Sequence, residues 1–272
     1  MITTNNVSLR RENRRRVLNC VRKGPISRAD VADKLQLTRA AVTYIVDELI
    51  REGFLDESYP ISKARGRHPV LLHLKANRLY FGGIDIRRDG IAAGIVNLAG
   101  EEICRCGFPH GSSAPLATLA QICMYLTKQP VGIESLGITA PGPLDAQRGI
   151  ILNPPNFDSW HGVRITGALC GVPDVAVTLE NISQAAALEE YYFNGMDRHR
   201  AFLTLLVDSG IGSGVMIDGH TVGGSEIGHT SIVLDGRPCS CGNFGCLERY
   251  ASVPALLSNS PYPTWEALMD AD

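Results

Sequence analysis

The N-terminal part of the chain carries apolar residues at helical spacing. Between residues 13 and 55 they recur at intervals of three and four positions, which predicts three short helices that each bury one face. Gly24-Pro25 ends the first helix, and the other two are predicted over Arg28–Leu35 and Arg39–Glu52.

The second and third helices, joined by a tight turn at Gln36-Leu37, have the form of a helix-turn-helix. Thr38 is a candidate N-cap of the third helix, because a hydroxyl there can accept from a free N–H of the first turn. That helix would present Arg39, Thr43 and Tyr44 to the major groove of DNA, with Thr38 nearer a phosphate.

The segment after the third helix predicts a wing. Phe54-Leu55 and Val70–Leu74 read as strands on either side of a polar stretch that is basic at its tip. Glycine at position 66 lets the backbone approach a nucleic acid closely, so Arg65 and Arg67 are further DNA-binding candidates. The alternative is a small helical module that binds another protein.

Charge is unevenly distributed along the 272 residues. The chain carries a net −2, but residues 1–79 hold 16 Lys and Arg against 8 Asp and Glu, whereas the remainder holds 10 against 20. A basic N-terminal part (the head, residues 1–79) before an acidic remainder (the body) indicates that the head binds a polyanion, which favours DNA as its partner.

Beyond Leu79 the pattern changes to short apolar runs that alternate with helical segments, which predicts α/β layers. The predicted strands are Tyr80–Ile86, Ile91–Val96, Ser135–Ile138, Val175–Leu179 and Phe202–Val207, the predicted helices are Pro115–Lys128 and Ser183–Tyr192, and a glycine loop is predicted over Asp208–Gly214. No apolar run approaches the roughly 18 residues that a membrane helix needs, so no membrane span is expected.

His229, Cys239, Cys241 and Cys246 place one imidazole and three thiols within eighteen residues. Such a set is a standard closed zinc site, and four protein ligands leave no open position, so a structural zinc is expected. The 8 cysteines form no even framework and no signal peptide precedes them, which predicts a reducing, cytoplasmic location. The alternatives to a zinc site are free thiols that happen to cluster and a disulfide scaffold.

Five motifs of the body resemble the ROK family, the repressors and sugar kinases built on the actin-like ATPase fold. They are Ala-Pro-Gly-Pro-Leu-Asp (140–145), Leu-Glu-Asn (179–181), Gly-Ile-Gly-Ser-Gly (210–214), Gly-Ser-Glu-Ile-Gly-His (224–229) and the cysteine motif with Leu-Glu-Arg-Tyr-Ala-Ser (239–252). With the winged helix-turn-helix in front, the chain resembles the repressor branch.

The resemblance implies an α/β chain in which a winged helix-turn-helix domain and linker, residues 1–79, precede an actin-like, sugar-kinase-like body, residues 80–272. The body would comprise a first lobe of about 80–195 and a partial second lobe of about 196–272. Only 26 residues follow Cys246, where family members continue, so a C-terminally truncated chain with an incomplete second lobe is expected.

The resemblance also implies a sugar pocket between the lobes. By motif position its sugar-binding residues are Asn181, Glu226, His229 and Glu248, and His229 would use one ring nitrogen for zinc and the other for the sugar. Such polar sites discriminate between sugars, because an absent hydroxyl leaves a buried group unpaired. Glu248 could instead only support the cysteines.

Two departures from the kinase pattern predict that the protein is not an enzyme. Family kinases have Asp-x-Gly-Gly-Thr at the first turn, where small residues let backbone N–H groups approach phosphate, but Asp85 is followed by bulky side chains that include Arg87 and Arg88. Ile182 stands where the kinases have the general-base aspartate, and an alkyl group cannot accept a proton. The glycine loop is retained, so a residual nucleotide site stays open.

These features predict a sugar-responsive transcriptional repressor of carbohydrate uptake or catabolism genes, without catalytic residues. Its partners would be operator DNA, a sugar or sugar phosphate (or a partner protein) and a second copy of the chain in a dimer. The alternatives are an active sugar kinase with a fused DNA-binding module, and a remnant that binds DNA without sensing a ligand.

Overall fold

The computed structural model describes residues 2–59, 69–109, 115–155, 157–165, 175–223 and 225–271. The chain divides into two compact units. One comprises Met1–Gly82, Gly94–Arg105 and Leu126–Ser135, and the other Gly83–Ala93, Cys106–Tyr125 and Leu136–Asp272. The domain boundary near residue 79 stays a prediction.

The first unit begins with a winged helix-turn-helix. Its elements are α1 (Ile2–Arg22), β1 (Ile26–Ser27), α2 (Arg28–Leu35), α3 (Arg39–Arg51), β2 (Leu55–Ser58) and β3 (Leu71–Leu74). The strands form an antiparallel sheet in the order β1-β3-β2, with Leu55 opposite Leu74. The predicted bounds of the second and third helices and the two wing strands are confirmed to within a few residues.

The core of this head consists of the apolar faces that the sequence periodicity predicted. Its fully buried side chains come from all three helices and both wing strands: Val17, Val31, Val42, Val46, Leu49, Leu55 and Leu72. The turn between α2 and α3 passes through Gln36 in the left-handed region, with φ of 54°.

The predicted start of the first helix was wrong, because α1 begins at Ile2 rather than near residue 13. The segment before residue 13 lacks an apolar stripe, but it contains no glycine or proline. Within this segment Arg10 forms an ion pair with Glu48 of α3, as described below.

The body contains a five-stranded sheet and helices. The elements are β4 (Tyr80–Ile86), β5 (Ile91–Asn97), β6 (Glu102–Phe108), α4 (Pro115–Thr127), β7 (Ile133–Ala140), β8 (Leu144–Asp145), β9 (Ile150–Ile151), β10 (Ala176–Asn181) and α5 (Ile182–Phe193). The five strands pair in the order β10-β7-β4-β5-β6, and β8 and β9 form a separate two-stranded ribbon. Ile84, Ile86, Leu119, Ile122 and Ile138 are buried on these elements.

The last part of the chain contains a three-stranded antiparallel sheet and short helices. The elements are β11 (Ala201–Val207), β12 (Ile211–Ile217), β13 (His220–Val222), α6 (Glu248–Ala251), α7 (Val253–Leu257) and α8 (Trp265–Met269). The glycine loop predicted over Asp208–Gly214 was partly wrong, because only its first residues form a turn and the rest belong to β12. None of the helices among the described residues is both long and apolar enough to cross a membrane.

Candidate functional site

The N-terminus of α3 presents polar side chains to solvent. Thr38 caps the helix, since its hydroxyl oxygen accepts from the N–H of Ala41 at 3.2 Å, and Arg39 and Thr43 are exposed beside it. Arg65 and Arg67, the predicted wing contacts, lie outside the described residues. The helix start therefore carries the polar groups of a DNA-reading surface, and their contact with DNA stays a prediction.

Tyr44 is exposed on the same helix, but its side chain is held from a second element. The Arg10 guanidinium of α1 donates to the Tyr44 hydroxyl at 3.2 Å and lies 5.3 Å from the centre of its ring. Sequence reasoning did not anticipate this contact, because it joins residues 34 positions apart.

Two arginines of α1 form an ionic network next to Tyr44 with Glu48 of α3 and with Glu52, the C-cap of that helix. Arg10 bonds to Glu48, and Arg14 donates two hydrogen bonds to Glu52 at 2.9 and 2.5 Å. Burial acts to raise the pKa of the Glu48 carboxyl, but the hydrogen bond with Tyr44 and the charges of the arginines hold this pKa below its ordinary value. The sequence signal for this network was Glu48, a charged residue that stands among the buried positions of α3.

A second cluster lies in the body. The ligand atoms of His229, Cys239, Cys241 and Cys246 all lie within 4.8 Å of one another. The His229 Nδ1 is 3.6 Å from the Cys239 sulfur, and the Cys241 and Cys246 sulfurs are 3.8 Å apart. The structure thus brings the four predicted ligands together as a candidate metal centre.

Backbone turns hold the three cysteines. The Cys239 N–H donates to the Asn243 carbonyl at 2.9 Å, and the Gly242 N–H donates to the Cys239 carbonyl at 3.0 Å. Gly245 has φ of 71°, and a Cβ at this position would lie 1.7 Å from the Val233 carbonyl oxygen. Only glycine allows this approach, so the glycine beside the last cysteine has a steric cause.

Glu248 adjoins the cluster. Its Oε1 accepts from the Cys239 thiol at 3.2 Å and lies 3.6 Å from the His229 Nδ1. Burial raises the pKa of the Cys239 thiol to about 12, and the Glu248 carboxylate adds to this shift. A bound divalent cation would favour the thiolate instead, so this donor set suits a cation.

The other predicted sugar-binding residues have different neighbours. Asn181 caps α5 through its side-chain oxygen, which accepts from the Ser183 N–H at 2.8 Å, while its amide nitrogen faces Gly142 of the Pro-Gly-Pro loop. Glu226 is exposed, and its carbonyl accepts from the His229 N–H at 3.0 Å. His229 and Glu248 are therefore in contact, and Glu226 joins them through its backbone.

The first turn of the body is filled by side chains. Arg87 pairs with Asp85 at 2.5 Å, and the other oxygen of Asp85 accepts from the Thr139 hydroxyl at 2.6 Å. Arg88 donates to the Ser209 hydroxyl at 3.1 Å and to the Pro155 carbonyl at 3.3 Å. Arg88 thus connects the first turn to the turn that begins the glycine motif, a contact that the sequence alone did not reveal.

The glycine motif itself packs against α5. A Cβ on Gly212 would lie 2.1 Å from the Ser183 hydroxyl, and one on Gly214 would lie 2.1 Å from the Ser183 carbonyl. The close approach of β12 to α5 is therefore sufficient to require these two glycines, without a bound phosphate.

Comparison with known proteins agrees with this architecture. Residues 81–270 match the model of the ROK family, and residues 10–56 match a winged helix-turn-helix DNA-binding domain. A xylose repressor of Caldicellulosiruptor bescii is 33% identical over 247 residues, which cover 86% of this chain and 61% of the relative. The chain thus spans about three fifths of that relative's length.

Two solved structures are also similar. A crystal structure described as a ROK family transcriptional regulator, a homologue of the Escherichia coli Mlc protein, aligns with a TM-score of 0.70 and 27% identity over 97% of this chain and 72% of the other. A ROK family glucokinase from Streptomyces griseus, in complex with glucose and AMPPNP, aligns with a TM-score of 0.57 and 29% identity over 66% of this chain and 59% of the other. The family model covers well over half of the sequence, and the chain therefore belongs to the ROK family.

Proposed function

We propose that this chain is a sugar-responsive, DNA-binding transcriptional regulator that represses carbohydrate uptake or catabolism genes and has no kinase activity. The observation that carries the proposal is the head: a capped helix-turn-helix with an exposed basic helix start, joined to a ROK body. The xylose repressor, which is similar in sequence, and the Mlc-like protein, which is similar in fold, support it, because the first is named a repressor and the second a transcriptional regulator.

In this proposal α3 enters the major groove. Thr38 contacts a phosphate, Arg39, Thr43 and Tyr44 face base edges, and the wing arginines Arg65 and Arg67 reach the backbone or minor groove. A dimer of the chain would bind a palindromic operator, because two symmetry-related heads read two half-sites.

The DNA-binding role is tested on the full chain. Wild-type protein selects an operator from a pool of random-sequence duplexes, and a mobility-shift titration then compares variants on that operator. Arg39→Ala should weaken binding by roughly tenfold, the cost of one specific contact. Arg51→Ala, an exposed arginine in the last turn of the same helix, is the matched control. Equal affinity of the Arg39 and Arg51 variants would remove the assignment of α3.

Zinc is the cation we propose for the cluster. Tetrahedral zinc with Zn–S of about 2.3 Å and Zn–N of about 2.1 Å places two sulfurs about 3.8 Å apart and a sulfur and a nitrogen about 3.6 Å apart. The Cys241–Cys246 and His229–Cys239 separations of 3.8 and 3.6 Å agree with these values. The metal would fix the loop that carries His229 and Glu248.

The body would sense its effector, a sugar or sugar phosphate, at this loop and at Asn181, the N-cap of α5. Asn181, Glu226, His229 and Glu248 offer the amide, carboxylate and imidazole groups that bind sugar hydroxyls. Zinc on Nδ1 of His229 would leave the other ring nitrogen for the sugar. The effector acts by binding one of the DNA-competent and DNA-incompetent arrangements more tightly than the other.

The absence of kinase activity is proposed from Ile182 and Arg88. Ile182, the first residue of α5, offers no base, and Arg88 joins the first turn, where family kinases have small residues, to the turn that begins the glycine motif. Incubation with ATP and a panel of hexoses should form no sugar phosphate above the rate without protein, with a ROK glucokinase as the positive control. Phosphorylation of any hexose would reverse this part of the proposal.

A further inference from the structure

Glu48 is an unusual residue for its position on α3. It is only 7% exposed and lies on the helix face that otherwise buries Ile45 and Leu49. A carboxylate buried at such a position needs cationic partners, and α1 supplies them through Arg10 and Arg14. This pairing brings the Arg10 guanidinium to the outer surface of α3.

At that surface Arg10 makes two contacts with Tyr44. It donates to the hydroxyl at 3.2 Å and lies over the ring face, 5.3 Å from the centroid, where the quadrupole of an aromatic ring attracts a cation. Tyr44 is nevertheless 56% exposed. The ring is therefore available to a ligand while its orientation is held from α1.

Holding an exposed side chain in one orientation matters for recognition. A mobile tyrosine side chain loses rotamer freedom when it docks against its matching base pair. This entropy cost is subtracted from the binding free energy that the right partner gains over a wrong partner, which leaves the ring undocked. Because Glu48 balances the charge of Arg10, the arginine is better placed to orient Tyr44 than to neutralise a phosphate.

We propose that Arg10 is a positioning residue for base readout: it fixes the Tyr44 ring on the DNA-reading face of α3, and Glu48 fixes Arg10. The proposal rests on the proposed function, in which α3 binds DNA. It adds a specificity role for α1, an element outside the two helices of the helix-turn-helix.

The test compares full-length variants by selection from a pool of random-sequence duplexes, followed by mobility-shift titrations over a range of salt concentrations. Arg10→Met should lower discrimination at the one or two base pairs that Tyr44→Ala also affects, by about two- to fivefold, as expected for loss of an exposed cation–π contact. In the Tyr44→Ala background Arg10→Met should change nothing further. Arg11→Met, at the next exposed arginine of α1, is the matched control.

Salt dependence separates positioning from direct contact. A positioning residue leaves the slope of log K against log salt unchanged, whereas loss of one phosphate contact reduces that slope by about one. A reduced slope with uniformly weaker binding to all sequences would overturn the proposal, as would an additive effect of Arg10→Met in the Tyr44→Ala protein or unchanged base preferences.

Folding and the wider proposal are controlled separately. Arg10→Lys keeps a cation that can pair with Glu48 and lie over the ring, so it should remain folded by circular dichroism and retain more discrimination than Arg10→Met. If the folded lysine variant discriminates no better than Arg10→Met, the cation over the ring does not position Tyr44 and the proposal is wrong. If wild-type protein selects no sequence at all, the DNA-binding function itself fails, and the positioning role fails with it.

Discussion

Gly245 illustrates how a single position limits the metal cluster. Its φ of 71° lies in the left-handed region, and Val233 leaves no space for a side chain. The adjacent Cys246 is fully buried, and its thiol donates to the His229 carbonyl at 3.4 Å. A shift of the backbone at Gly245 would therefore move a ligand directly.

We predict that Gly245→Ala destabilises the protein by at least about 2 kcal/mol, from left-handed backbone strain and the steric clash together, and lowers metal content. Gly132→Ala is the control, since a Cβ at Gly132 meets nothing within 4 Å, and it should stay within about 0.5 kcal/mol of wild type. Urea unfolding with metal analysis measures both effects. Normal metal loading of the Gly245 variant would contradict the steric argument.

The N-cap of helix α3 bears on both its stability and its proposed role in DNA binding. The Thr38 hydroxyl accepts from an N–H of the first turn that the helix itself leaves unpaired, and Thr38 stands where the exposed residues that we propose to read DNA begin. The same kind of cap occurs at Thr264, whose hydroxyl oxygen accepts from the Ala267 N–H at 3.2 Å at the start of α8.

Thr38→Ala should cost about 1 kcal/mol of stability and weaken operator binding, whereas Thr38→Ser should retain both. Thr264→Ala should leave DNA affinity unchanged, because α8 belongs to the other unit. Thermal melts and mobility shifts measure the two quantities. Equal loss of DNA affinity in the Thr38 and Thr264 variants would show that general destabilisation, and not the α3 cap, is responsible.

At the scale of the whole molecule, the proposed regulator binds DNA and senses sugar with different parts of the chain. The basic residues concentrate in the head and the acidic residues in the body, and the candidate metal centre lies in the second unit. Loss of the metal should therefore affect the response to sugar before it affects the DNA-reading helix.

We predict about one zinc per chain after purification. Chelation should lower the melting temperature and abolish sugar-induced release of DNA while operator binding without sugar persists. Cys246→Ser should reproduce chelation, and Cys20→Ser, at a buried cysteine of the head, should not alter the response to sugar. Zinc content near zero in a folded protein would refute the metal assignment.

Several features could be predicted from the sequence because they depend on residues that are close to one another along the chain. The bounds of α2 and α3 followed from apolar periodicity and from Thr38 as a cap, and strand β4 matched its prediction at both ends. The four clustered ligands were evident from residue type and spacing, and the ROK motifs indicated the architecture.

Tertiary structure decided the contacts between residues that are distant along the chain. Periodicity reports which face of an element is buried, but it cannot say which side chain from elsewhere covers that face. Hence the early start of α1, the Arg10–Glu48 pair and the reach of Arg88 to Ser209 were not foreseen. The glycines of β12 show the same limit: their spacing suggested a loop, whereas the close approach of α5 explains them.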